Sequence, residues 1–222
     1  MEAGAAAVGP GGQALRAPQV QAAIAELRSR LLAGTRTVLG ITGAPGSGKS
    51  TFAALLGELF GADVAVVVPM DGFHLSNAVI DGGPLRDRKG AIETFDVGGY
   101  ASVLQRLAQP VEPVVYAPEF NRSLDEPIAA SIAVPADLPL VITEGNYLLA
   151  DSHGWQGIRE HLDEVWYLES PEALRRRRLT ERHVLFGKDR VDAEKWAHGT
   201  DQFNAELVHA TRHKADRIIP WA

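Results

Sequence analysis

The chain has no cysteine. That excludes disulfides, zinc–thiolate centres and a cysteine nucleophile, and it leaves the cytoplasm as the expected compartment. No apolar run is long enough to span a bilayer, so no membrane partner is expected. Positive charge is not in excess: 22 Lys and Arg stand against 28 Asp and Glu, a formal net charge of −6, and no nucleic-acid partner is expected. The Ala- and Gly-rich start, Met1 to Gly12, lacks the basic segment of a secretory signal. Residues 1–17 are expected to be a disordered tail. There is no internal repeat and no Asn-Lys-x-Asp guanine signature. What is there, 222 residues of which 45% are hydrophobic, suffices for one well-filled domain over residues 18–222.

One stretch organises that domain. Gly43-Ala44-Pro45-Gly46-Ser47-Gly48-Lys49-Ser50 fits G-x-x-x-x-G-K-[ST], the phosphate-binding loop. Residues 38–42 before it read as a buried strand and residues 51–60 after it as a helix, the context the motif needs. The glycines let successive amides point inward, and the helix N-terminus, from Lys49 through Thr51, adds unpaired donors. Lys49 can reach the outer phosphates, and the Ser50 hydroxyl can ligate Mg²⁺. ATP and Mg²⁺ are the cofactors so implied. The alternative is a glycine turn that binds nothing.

Two acids follow strands. Residues 63–69 are apolar and β-branched and read as a second buried strand, followed directly by Met70-Asp71-Gly72-Phe73-His74. Ligands in open α/β sheets bind beyond the carboxyl ends of strands. Asp71 is therefore on the edge that faces the phosphates, where it can take a proton from a substrate hydroxyl. An ordinary Asp-Gly turn is the competing reading. Residues 138–143 form another apolar run, ending in Glu144-Gly145-Asn146. An acid there suits a Mg²⁺ position; a capping or loop Glu is the competing reading.

The rest of the pattern gives helices over 18–32 and 97–107, a short helix over 155–162, and strands over 111–116, 164–168 and 216–220. A short edge strand is expected over 128–134, and Glu119 to Arg122 on a loop. Residues 75–94 are polar and irregular. A helix with Ser170 as N-cap and Pro171 at its first position carries Arg175, Arg176, Arg177, Arg178 and Arg182. Residues 178 and 182 share a face. This segment reads as a lid, over about residues 175–192, that brings an arginine onto the transferring phosphoryl. It reads equally as a solvated basic face paired with Glu172 and Glu181. A long amphipathic helix over 192–209 is expected to turn Trp196, Phe203 and Leu207 inward. Asp201, Gln202 and Asn204 in it face either the lid or the core.

Five stretches together resemble the P-loop kinases that include uridine kinase, bacterial pantothenate kinase and phosphoribulokinase. They are residues 43–50; Pro69 to His74; Arg88-Lys89-Gly90 with Glu93-Thr94-Phe95-Asp96; Glu144 to Leu149; and the arginine helix through Arg182-His183. The resemblance runs from about residue 20 to the C-terminus. It is nearest to the nucleoside/nucleotide-kinase-like branch, also labelled pantothenate-kinase-like or fructose-transport-associated. It implies a three-layer αβα sandwich, a P-loop NTPase fold with a mostly parallel five-stranded sheet and a helical lid. It implies Asp71 as catalytic base, Lys49 and Ser50 as phosphate and Mg²⁺ residues, and Glu144 as an acid holding Mg²⁺ through water. Arg178 and Arg182 correspond to lid arginines. His74, Lys89, Phe95, Tyr116, Arg122 and Asn146 fall where relatives bind the acceptor. Two patterns depart. The uridine-kinase Asp-Ser-Phe-Tyr is Asp-Gly-Phe-His here. The pantothenate-kinase Ser-His…Tyr-Asp is replaced by Ala117-Pro118-Glu119-Phe120-Asn121-Arg122. Neither uridine nor pantothenate therefore follows as the acceptor.

The expected activity is ATP- and Mg²⁺-dependent phosphoryl transfer to a hydroxyl of a nucleoside-, sugar- or pantothenate-like metabolite. A regulatory P-loop NTPase and a non-catalytic nucleotide-binding module are the alternatives. The expected partner is a small-molecule acceptor, and the oligomeric state stays open, a homodimer included.

Overall fold

The computed structural model describes residues 15–187 and 189–221. Residues 1–14 of the expected tail lie outside them. Residues 15–17 are a turn into the first helix: Leu15 packs against the core, and its carbonyl accepts from Gln21 Nε2 at 2.7 Å.

In chain order the elements are α1 (Pro18–Leu32), β1 (Thr37–Thr42), α2 (Lys49–Phe60), β2 (Ala65–Pro69), α3 (Val97–Ala108), β3 (Val114–Asn121), β4 (Glu126–Pro135), β5 (Leu140–Gly145), β6 (Glu164–Glu169), α4 (Glu172–Leu185), α5 (Arg190–His198), α6 (Thr200–Ala210) and β7 (Arg217–Pro220). Short 3₁₀ turns occupy Met70–Phe73 and Trp155–His161. The main sheet has five strands in the order β2-β5-β1-β6-β7, and every neighbouring pair is parallel.

Both faces of this sheet are covered, which is why its strands read as continuous apolar runs. Side chains alternate across β1: Val38 enters one core, Leu39 and Ile41 the other. The first core lies under α3 and the segment around Trp155. The second lies under α1 and α2, with Trp166 and Trp221. The result is a three-layer αβα sandwich, the P-loop NTPase fold. Strand ends are level where they matter: Glu144 pairs with Ile41 on one side and Pro69 on the other. The phosphate loop, the turn holding Asp71 and the end of β5 therefore share one edge of the sheet.

Four expectations are corrected. The strands expected over 111–116 and 128–134 do not join the main sheet; they form a separate antiparallel hairpin, β3–β4. Pro118, which cannot donate to the ladder, coincides with a register shift between Ala117 and Glu119, after which pairing resumes. Glu119, Phe120 and Asn121, expected on a loop, thus belong to β3, and only Arg122 lies on the turn. The helix expected over 192–209 breaks at Gly199, where φ is −97° and ψ −99°. The break rotates the frame, so an apolar phase read through it fails, and Phe203 is 60% exposed. Finally, α4 starts at Glu172 after Pro171, and Ser170 provides no cap. Among the described residues no helix is long and apolar enough to cross a membrane.

Candidate active site

The loop after β1 needs its glycines for two reasons. Gly46 and Gly48 have φ of +78° and +90°, which side chains rarely adopt. There is also no room: a Cβ on Gly46 would lie 2.7 Å from the Arg175 carbonyl oxygen, and one on Gly48 would lie 2.6 Å from Trp221 Nε1. The loop ends where α2 begins, so the free amides of that helix open onto it. Lys49 is buried and donates to the Ala44 carbonyl at 3.2 Å. Ser50 Oγ donates to Glu144 Oε1 at 2.8 Å, across the gap between α2 and β5.

Asp71 sits on the 3₁₀ turn directly after β2, its side chain one-third exposed. Gly72 beside it is not a turn glycine, for its φ is not positive. A Cβ there would lie 2.3 Å from the Pro118 carbonyl oxygen, so Gly72 allows the β3 backbone to pack onto this turn. The Asp-Gly pair is thus explained by close packing at the cleft rather than by a reverse turn.

These groups open on one cavity of about 510 Å³. Of the candidate residues, Pro45, Gly46, Lys49, Ser50, Asp71, His74, Lys89, Phe95, Arg122, Glu144, Asn146 and Arg182 line it. Gly43, Ala44, Ser47, Gly48 and Thr51 build the loop and the helix start behind them. Two further candidates, outside the loop and the helix start, are also not in the cavity wall. Tyr116 points away and is 55% exposed, because Val115 and Ala117 form the buried face before Pro118; the shift there turns Phe120 inward instead. Arg178 lies behind the loop near Gly48, with Ser170 Oγ at 3.5 Å.

The remaining arginines divide by what they touch. Arg175 is buried and donates to the Pro45 carbonyl at 2.7 Å and to Gln202 Oε1 at 3.1 Å, so it braces the phosphate loop. Arg176 pairs with Glu172, and Arg177 with Glu181 at 3.7 Å, on the helix surface. Arg182 reaches the cavity. Its neighbour His183 meets Asp201 Oδ2 at 2.7 Å, which ties α4 to α6. Asp201 and Asn204 also line the cavity.

On the opposite wall the His74 ring lies between Phe95 and Phe120, with centroids 4.1 and 4.7 Å away. Its Nδ1–H donates to the Asp71 carbonyl at 2.7 Å, which leaves Nε2 as a bare acceptor in the neutral ring. Burial pulls the His74 pKa down and favours that neutral form. Lys89 uses its donors on Asn77 Oδ1 and on both the carbonyl and the carboxylate of Asp125. It clasps the hairpin turn to the segment before α3. Proline inside β3 was the one signal that could have exposed Phe120; nothing in the sequence marks Lys89 as a clasp.

The charges here are held at odds with their surroundings. Burial pulls Lys49 down to about 8, against the attraction of Glu144 and Asp71 and with the help of Arg182 and Arg175. Burial first, then the Asp71 charge, pushes Glu144 up. A polyphosphate with a hard cation would relieve both strains. Among the described residues no three His, Asp or Glu side chains form a metal site alone. The Ser50 hydroxyl beside the Glu144 carboxylate offers oxygen donors only, a partial set that suits Mg²⁺ completed by phosphate and water.

No family model matches the chain. It is 36% identical over 188 residues to the uncharacterized protein YggC of Escherichia coli, covering 83% of this chain and 77% of that one. It is 34% identical over 160 residues to a candidate uridine kinase of Schizosaccharomyces pombe, covering 68% of each. An ATP-dependent kinase-like protein of Aspergillus versicolor is 31% identical over 160 residues, covering 68% of this chain and 93% of that one. Among solved structures, a candidate fructose transport system kinase from Silicibacter superposes with a TM-score of 0.75 at 38% identity, covering 83% of this chain and 89% of that one.

Proposed function

Because the chain belongs to the P-loop kinases of the uridine kinase group, we propose that it moves the γ-phosphoryl of ATP, with Mg²⁺, onto a hydroxyl of a small nucleoside-, sugar- or pantothenate-like metabolite. One observation carries the reading: Asp71 faces the phosphate loop, Lys49, Ser50 and Glu144 across a single cavity.

The loop amides and Lys49 hold the β- and γ-phosphates. Ser50 and, through water, Glu144 would hold Mg²⁺, which neutralises charge on the phosphates. Asp71 accepts the acceptor's proton as its oxygen forms the new bond to phosphorus. The bond from phosphorus to the bridging oxygen breaks, and ADP leaves. Arg182, on the inner side of α4, is placed to meet the charge spread over the transferring phosphoryl, and α4 to α6 exclude water that would compete as acceptor. Arg178 has no part in this step.

The test is ADP release across a panel of nucleosides, sugars, sugar phosphates and hydroxy acids, each with Mg²⁺ and with excess EDTA. Release that needs both an acceptor and Mg²⁺ is expected. Release at the same rate without any acceptor would instead identify a nucleotide hydrolase.

A further inference from the structure

The acceptor side of the cavity is rich in charged side chains. From Asp71 to Asp125 its wall consists of Asp71, Arg86, Asp87, Lys89, Arg122 and Asp125 together with His74, Gly90, Phe95 and Phe120. Asn146, at the end of β5, lines the same cavity and can read a hydroxyl or an amide. Three cations, Arg86, Lys89 and Arg122, stand there against three acids, Asp71, Asp87 and Asp125, beside aromatic rings.

Those cations are not equivalent. Lys89 has spent its donors on Asn77 and Asp125. Arg86 is engaged with Asn77, Asp81 and Asp125. Among the described residues Arg122 forms one ion pair, with Asp71 Oδ2 at 3.5 Å, too long for a good hydrogen bond. Its side chain is 48% exposed and lines the cavity, and its guanidinium carries five N–H donors.

The mount of Arg122 is firm. Asn121 Oδ1 accepts from the amides of Ser123 and Leu124, each at 3.0 Å, which fixes the turn. Lys89 holds Asp125 from one side, and the Glu126 carboxylate takes the Asn77 amide from the other. A planar fork of donors on a fixed turn, next to the base, matches the geometry of a carboxylate or phosphate.

We propose that Arg122 binds an anionic group of the acceptor, so that the substrate is a hydroxyl compound carrying a carboxylate or a phosphate. The inference rests on the kinase reading above. It also gives Arg122 two states. Without acceptor it leans on Asp71; with acceptor it turns to the incoming anion and leaves the Asp71 carboxylate to the hydroxyl.

Matched pairs test this: glycerate against glycerol, pantothenate against pantothenol, and ribose 5-phosphate against ribose, with wild type, Arg122→Gln and Arg122→Lys. In the productive pair the anionic member is expected to exceed its neutral partner in kcat/KM by about 10- to 100-fold, the range of a charge-assisted hydrogen bond. Which pair responds separates carboxylate from phosphate. Arg122→Gln should erase that margin chiefly through acceptor KM, with KM for ATP unchanged, and Arg122→Lys should restore part of it. Neutral members used as well as anionic ones, or equal losses for both in Arg122→Gln, would overturn the inference and leave the kinase reading standing. ATP left unconsumed with every acceptor would remove the kinase reading and this inference with it.

Discussion

Lys49 is a residue that folding alone would not select. Its ammonium is buried against the loop, and its pKa falls from 10.5 to about 8, chiefly by desolvation. A depressed pKa means that the stability tied to this group is present in full above 10.5 and is lost as the pH falls through about 8. At neutral pH the nucleotide-free protein therefore carries a cost on the order of 3 kcal/mol, which bound phosphates would offset. Lys49→Met is expected to raise the Tm of the nucleotide-free protein by several degrees, since about 1 kcal/mol moves Tm by 2–4 °C at this size. The same variant should lose the further rise that ATP gives the wild type. A lower Tm for Lys49→Met would mean that the ammonium is a net stabiliser. This residue was legible in the sequence because the chemistry of phosphate binding fixes its type and its distance from the glycines. Arg122 was legible only through family resemblance, and it stands out only once Lys89 and Arg86 are seen to be occupied.

At the scale of elements, the hairpin positions the wall proposed for the acceptor, and Gly72 positions the hairpin. The absence of a Cβ on Gly72 lets the Pro118 carbonyl close onto the Asp71 turn. Gly72→Ala must push β3 outward, an overpacking cost of about 1–3 kcal/mol. The expected result is a weaker acceptor KM with nearly unchanged ATP binding, because the phosphate loop stands on other elements. Equal loss of both affinities would show that the turn and the loop move as one. Sequence periodicity located β1, β2, β5 and β6 well, since a strand buried on both faces is an apolar run with little ambiguity. It failed where one residue changes phase. Pro118 flips the inward face of β3 from the side of Val115 and Ala117 to that of Phe120, and Gly199 splits α5 from α6 and leaves Phe203 outside. Neither shift has a periodic signature.

At the scale of the whole molecule, the parallel sheet brings residues far apart in sequence to one edge. β1 lies between β5 and β6, so the loop after β1 faces the acid ending β5, and β2 on the far side of β5 delivers Asp71 to the same cleft. Helices α4 to α6 approach from the other direction, joined by the His183–Asp201 contact and braced on the loop through Arg175. On the proposed reading these parts would serve as donor site, base and cover for transfer to an alcohol. The fate of the phosphoryl group therefore decides. Followed by ³¹P NMR with the best acceptor from the panel, the γ-phosphorus of ATP is expected to reappear as a phosphomonoester of that acceptor, and Asp71→Asn to slow this by about 10²–10⁴-fold, the usual weight of a general base, with ATP still bound. Phosphorus recovered as inorganic phosphate at the same rate with and without acceptor, or transfer by Asp71→Asn at the wild-type rate, would contradict the account.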